Sequence, residues 1–298
     1  MKPIDLILVL VVMTIWGGNF IAMRTGALEI PPYYLLGLRL AVASLALVWF
    51  VKSPKGMVIP LLSIGFTLCI LHFGLALVGL QFIEAGTGAL AMQASVPFAA
   101  LLAWFVFKET FGWRRILGVI IAFIGLTVIS GIPQLEGYLD MFLVMIISAL
   151  CFSIASIQIR RLGTVNFMSV NAWICIFSTP MAFLISWIFE SGQWDAFMRA
   201  ETTTVMGILY MGLMASAVGQ GIWYRLLPRY PTNQVVPFTL LVPILGIVFG
   251  IIILDETLNW ELALGAATTI AGVAVIVLRG PKSVAPETAP AKEQNDSQ

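Results

Sequence analysis

Charge is what this sequence has least of. Of its 298 residues, 16 are Lys or Arg and 15 are Asp or Glu, 10% in all, where a soluble domain carries about a quarter. The net charge of +1 leaves no bulk basicity for a nucleic-acid partner. Histidine occurs once. The three cysteines, Cys69, Cys151 and Cys175, lie inside apolar runs without paired spacing, so they read as reduced core residues and not as a disulfide frame or a metal cluster. No phosphate loop or nucleotide fingerprint is present, and no cofactor or metal is expected. Carboxylates are missing from the middle of every apolar run: Asp5, Glu29, Glu84, Asp140, Glu190 and Glu256 all fall at run ends. An enzyme buried in such a chain would need acid, base or metal groups converging at one depth. One histidine and no deep acid argue against an enzyme.

What the chain does have is apolar length. It is 60% hydrophobic, and its mean hydropathy is +0.99. A helix needs about 20 apolar residues to cross about 30 Å of hydrocarbon. Ten such runs begin near residues 4, 33, 58, 85, 113, 138, 168, 203, 232 and 259, separated by breakers such as PP at Pro31, SPKG at Ser53 and DETLN at Asp255. The expected class is an all-α integral membrane protein with the lipid bilayer as its partner, in the inner (plasma) membrane of a cell. Ile4 to Met23 is followed by Arg24 and not by a small-residue cleavage site, so it reads as a retained span and not a signal peptide. Residues 281–298, polar and rich in Pro and Ala, are expected to be a disordered cytoplasmic tail.

Basic residues favour the cytoplasmic side. With an even number of spans and the N-terminus inside, the inner segments hold thirteen of the Lys and Arg residues, and the outer loops hold only Arg24 and Arg199. Both termini are therefore expected inside. The stretch ETFGWRRILG at Glu109 returns as ETLNWELALG at Glu256, and the second copy has lost both arginines. Five spans separate the copies, which places them on opposite faces. Gly118 and Gly125 match Gly265 and Gly272 at the same spacing, and Pro97 matches Pro243 with one residue of slippage. The expectation is two inverted five-helix repeats, 1–133 and 134–280, the architecture by which a carrier exchanges inward and outward openings around a midplane site.

A polar group in hydrocarbon needs a partner or a cavity. Arg39, in GLRLAVASL, is the one charge well inside a span: it either holds a substrate carboxylate or an oxygen of the first helix, or serves a structural bond or snorkels outward. Its candidate acceptors are the Asn19 amide, carbonyls near Gly17 and Gly18, or the substrate. Trp16 and Asn19 share a helix face, suited to an amino acid or to helix packing. His72 lies near the expected midplane, as a proton relay or as a neutral hydrogen-bonded group. Pro97 leaves the carbonyl of Gln93 without its helical donor, which makes it a ligand acceptor or merely a kink. Ser153 punctuates the sixth span, and Gln220 and Trp223 share a face of the eighth. These eight residues are the candidate substrate-binding set.

The opening WGGNFIAMRTGAL, the stretch PPYYLLGLRL leading the second helix, and a proline-containing helix ending in KET or DET before a Trp and a glycine-rich helix together resemble the EamA family of the drug/metabolite transporter superfamily. The likeness covers nearly the whole chain apart from the tail, and it is greatest to amino-acid exporters of the O-acetylserine/cysteine type. The resemblance implies ten helices, export driven by protons or another gradient, and a central cavity lined mainly by helices one, three, four, six, eight and nine. Small four-helix relatives that expel cationic drugs carry a membrane-embedded carboxylate, which the first helix here lacks. The expected function is export of small neutral or zwitterionic metabolites, amino acids foremost, with a broad-specificity drug or metabolite effluxer as the alternative.

Overall fold

The computed structural model describes residues 1–54, 56–108, 112–132, 135–163, 165–226, 229–230 and 232–278, the side chains of 224, 232 and 233 excepted. Glu109 to Phe111, which open the first copy of the repeated phrase, the expected boundary at 133–134 and the tail lie outside the described residues. Among the described residues, ten helices are long and apolar enough to cross a membrane: α1 Pro3–Glu29, α2 Pro32–Phe50, α3 Val58–Gly79, α4 Ala85–Phe107, α5 Trp113–Ser130, α6 Leu139–Arg161, α7 Phe167–Phe189, α8 Thr202–Trp223, α9 Val236–Leu254 and α10 Trp260–Leu278. Nine begin within one residue of expectation. The ninth is approached by a four-residue helix, Thr232–Val235, and begins as a 3-10 turn over Val236–Leu240. Pro237 has no amide to donate, which loosens the i→i−4 ladder there.

Local sequence explains where the helices start. Pro3 and Pro32 occupy first-turn positions, where an amide would have no helical acceptor anyway. Asn166 caps α7 by accepting from the amide of Ser169. Other helix starts are capped from far away in the chain. Glu190, just past α7, accepts from the amides of Tyr33 and Tyr34 at 2.8 and 3.1 Å, and Glu256, just past α9, accepts from those of Ala85 and Gly86 at 2.5 and 2.9 Å. A carboxylate there meets both unpaired amides and the positive end of the helix dipole.

The helices do not sort into two separate bodies. From the first half, α1 packs chiefly on α8 and α9 of the second; from the second half, α6 packs on α3 and α4 of the first. Likewise α2 lies against α7 and α8, and α7 against α2 and α3. The closest pair is α5 with α10, which run antiparallel: a Cβ at Gly118 would press on the carbonyl of Gly272, and one at Gly125 on the carbonyl of Gly265. Glycine at these positions lets two backbones touch where lipid tails supply no hydrophobic drive for association.

Two spans carry π-helical segments, Phe66–Phe73 in α3 and Tyr210–Gly219 in α8. Such segments recur at functional sites because they rotate the following side chains by part of a turn. At the end of the bundle where α1 begins, the buried Asp5 carboxylate accepts from the Tyr230 hydroxyl at 2.6 Å, with Arg229 3.9 Å away.

Candidate functional site

Arg39 lies between the two π-helical segments. It is 3% exposed. Its Nε and Nη2 both donate to Ser216 Oγ of α8 at 3.3 Å, and its guanidinium carbon stands 4.2 Å from the centre of the Phe73 ring of α3. Ser216 Oγ in turn donates to the carbonyl of Met211, five residues back, at 2.9 Å. The acceptor is thus a serine of the eighth span and not the Asn19 amide or the carbonyls near Gly17 and Gly18. The signal the sequence holds for Ser216 is a hydroxyl inside the apolar run of the eighth span. A hydroxyl shared by two donors and an aromatic face soften the charge without neutralising it. Nη1 is buried without a hydrogen-bond partner.

His72 is also buried. Ser148 Oγ of α6 donates its single proton to the His72 carbonyl at 2.7 Å. The same oxygen, 2.9 Å from Nδ1, can therefore only accept, and the Ser148 carbonyl is 3.1 Å from that nitrogen. Nδ1 consequently carries the hydrogen, and the ring is the Nδ1–H tautomer. The Phe73 and Phe152 rings flank it at 4.6 and 5.0 Å.

Trp16 and Trp223 meet across α1 and α8, with ring centroids 5.3 Å apart. The indole rests there because position 219 has no side chain: a Cβ at Gly219 would lie 3.0 Å from Trp16 Nε1. Gln220, partly buried, follows on the same helix, one turn from Ser216. Asn19 is buried, its amide donating to Met23 Sδ at 3.1 Å while Oδ1 has no partner. Gln93 is partly buried in the 3-10 turn Met92–Ala94 of α4. Ser153 is fully buried and divides its hydroxyl between the carbonyls of Ser95 and Ala149, so it ties α6 to α4. The structure therefore joins Arg39, Phe73 and Ser216 in one group, with His72 and Ser148 beside Phe73, and Trp16 with Trp223 in a second. It does not gather all eight candidates around one described cavity.

A cavity of about 230 Å³ lies elsewhere, lined by Arg24, Leu28, Glu84, Leu254, Asp255 and Glu256. This is the end of the bundle where α1 and α9 finish and α4 begins. Arg24 donates to the carbonyl of Leu80 at 2.6 Å. Burial pushes the Glu84 carboxyl above the usual carboxylate range; the charge of Glu256 adds to the rise, and Arg24 opposes it. The sequence shows these acids only as span-end residues.

Ten apolar helices with buried polar groups between them define a multi-pass membrane protein of the transporter class, which in a bacterium resides in the inner membrane. The model of the EamA-like transporter family matches residues 4–131 and again 140–278, and the chain belongs to that family. It is 30% identical to a protein of Escherichia coli named "Probable amino-acid metabolite efflux pump", over 94% of this chain and 97% of that one. A protein of the same name from Salmonella typhimurium is also 30% identical, over 92% and 94%. An uncharacterized transporter of Bacillus subtilis is 25% identical, over 88% and 92%. A solved crystal structure superposes with a TM-score of 0.60 at 17% identity, covering 93% of this chain and 99% of that one, and so shares the fold. Family and relatives are transporters, and the chain is one too, not an enzyme.

Proposed function

We propose that the chain exports small neutral or zwitterionic metabolites, amino acids foremost, by alternating access between two inverted five-helix repeats. The observation that carries this reading is Arg39. Among the described residues this buried guanidinium has a serine and a ring for company and no carboxylate, and one of its nitrogens is unpartnered. A substrate carboxylate supplies the missing acceptor, and the forked donors of Arg suit it. The flanking groups come from opposite halves, Phe73 from α3 and Ser216 from α8, so a substrate bound there would feel both halves move. Support for the repeats comes from the two successive family matches and from the α5–α10 contact. There the pairing of 118 with 272 maps onto that of 265 with 125 when each number is shifted by the spacing of the repeated phrase. Trp16, Asn19, Gln93, Gln220 and Trp223 complete the proposed binding surface. Protons are the proposed coupling ion.

Counterflow in proteoliposomes against the twenty amino acids, O-acetylserine and two cationic dyes tests the substrate class. Exchange of a subset of amino acids is expected. Arg39→Lys, which keeps the charge and loses the fork, should weaken binding of that subset at least about tenfold, equivalent to about 1.4 kcal/mol, in a protein that stays folded. Exchange of the dyes but no amino acid would favour the broad effluxer, and a Lys variant with unchanged affinity would remove the carboxylate role.

A further inference from the structure

We infer that Glu256 is a latch that holds one mouth of the carrier shut, by capping a helix of the opposite half. The two ends of the latch belong to different parts of the chain: the carboxylate follows α9, and the amides of Ala85 and Gly86 that it accepts from open α4. Closure thus consists of two charge-assisted hydrogen bonds that must break if α4 and α9 separate at this end. Each lies in a part-buried setting, where a charged acceptor counts for more than it would in water.

The local backbone is built for this contact. Asp255 adopts a left-handed conformation with φ of 53°, a conformation that L-residues other than Gly, Asn and Asp seldom enter. That turn folds the chain back so that the amide of Glu256 donates to the carbonyl of Gly250 at 3.2 Å. The carboxylate then lies over Gly250, where any Cβ would collide with it. On the far side a Cβ at Gly86 would stand 3.1 Å from Glu256 Oε2. Two glycines, one on each helix, leave the carboxylate its slot. Lys108, 147 residues before Asp255 at the matching end of α4, has the same left-handed turn with φ of 51°; these two are the positive-φ non-glycine residues among those described. The turn thus recurs at matching ends of two helices, at an Asp that tolerates it and at a Lys that seldom adopts it, which points to a role for the turn at both ends. Arg24 lines the adjoining cavity with Glu84 and Asp255 and places a positive charge beside the latch carboxylate.

The inference rests on alternating access, as proposed above, but on no particular substrate, so it is tested without one. In a background with Cys69, Cys151 and Cys175 replaced by alanine, Ile247→Cys serves as reporter, because Ile247 packs against Gly86 directly beneath the latch. The purified protein in lipid nanodiscs is exposed to a charged, water-soluble maleimide. Glu256→Gln loses one charged acceptor and turns an amide donor toward an amide donor. Gly250→Ala displaces the carboxylate from behind while keeping a good helix former. Both variants should label about tenfold faster than the parent, the factor that corresponds to about 1.4 kcal/mol of lost closure, with helical circular dichroism unchanged. Unchanged labelling in Gly250→Ala, a substitution that itself favours the helix, overturns the inference even if Glu256→Gln fails to fold. Faster labelling together with failed amino-acid counterflow leaves the latch standing and removes the substrate reading.

Discussion

A guanidinium in hydrocarbon costs about 2.5 to 3.5 kcal/mol on the insertion scale unless its donors are met. At Arg39 two donors converge on one serine oxygen and a third atom is left alone. The helix that provides Ser216 lies 177 positions away in the chain, too far for any spacing rule to pair them. Glu84 shows a second effect at this scale. Its carboxyl is held above its ordinary range mainly by burial, next by Glu256, with Arg24 acting in the opposite sense. A raised value means that the folded chain grips this proton more tightly than the unfolded chain does. The resulting stabilisation is full below the ordinary carboxylate value of about 4.3 and disappears as pH climbs through the raised one. The apparent melting temperature in detergent should therefore fall as pH rises through that window. Glu84→Gln should flatten the slope, and an equal slope in the variant would show that the carboxyl is not the group responsible.

At the scale of elements, α5 and α10 are held by contact of one backbone with another. A Cβ at Gly272 would press on the amide of Ala122 and the carbonyl of Gly118, neither of which can yield as a flexible side chain can. Gly272→Ala should accordingly destabilise the protein by about 1 to 3 kcal/mol, the usual range for overpacking. Gly112→Ala meets nothing within 4 Å and should leave the melting temperature unchanged. The comparison separates loss of close approach from any general effect of changing glycine to alanine. Matching glycines at Gly118, Gly125, Gly265 and Gly272 are visible in the sequence as a shared spacing. That they face one another is visible only in the structure.

For the whole molecule, the exchange of packing between halves matters most. With α1 seated on α8 and α9, and α6 on α3 and α4, neither repeat buries its own first helix, so the halves are units of sequence and not bodies that move apart cleanly. Orientation is tested on the same scale. Cysteine at position 259, read as outside, should react with an impermeant maleimide in intact cells, and cysteine at position 112, its counterpart in the first repeat, should be shielded. The reverse pattern would overturn the orientation, which follows from where Lys and Arg fall, and equal labelling of both positions would overturn the inverted arrangement, which follows from the odd number of spans between them.

The sequence by itself determined the membrane class, ten spans and nearly all their starting points, because burial in lipid demands long apolar runs and breakers between them. It also exposed the repeated phrase, which relies on spacing alone. Arg39 and His72 stood out as polar groups in apolar helices, since that conflict is local. Their partners Ser216 and Ser148 did not stand out, because a serine within a span looks like any small packing residue until the helix it faces is known. Only the tertiary structure decided that Ser153 is occupied by two carbonyls, that His72 carries its hydrogen on Nδ1, and that Glu256 reaches α4. Each of these depends on which helices are neighbours, a choice made by side-chain and glycine packing between segments far apart in the chain.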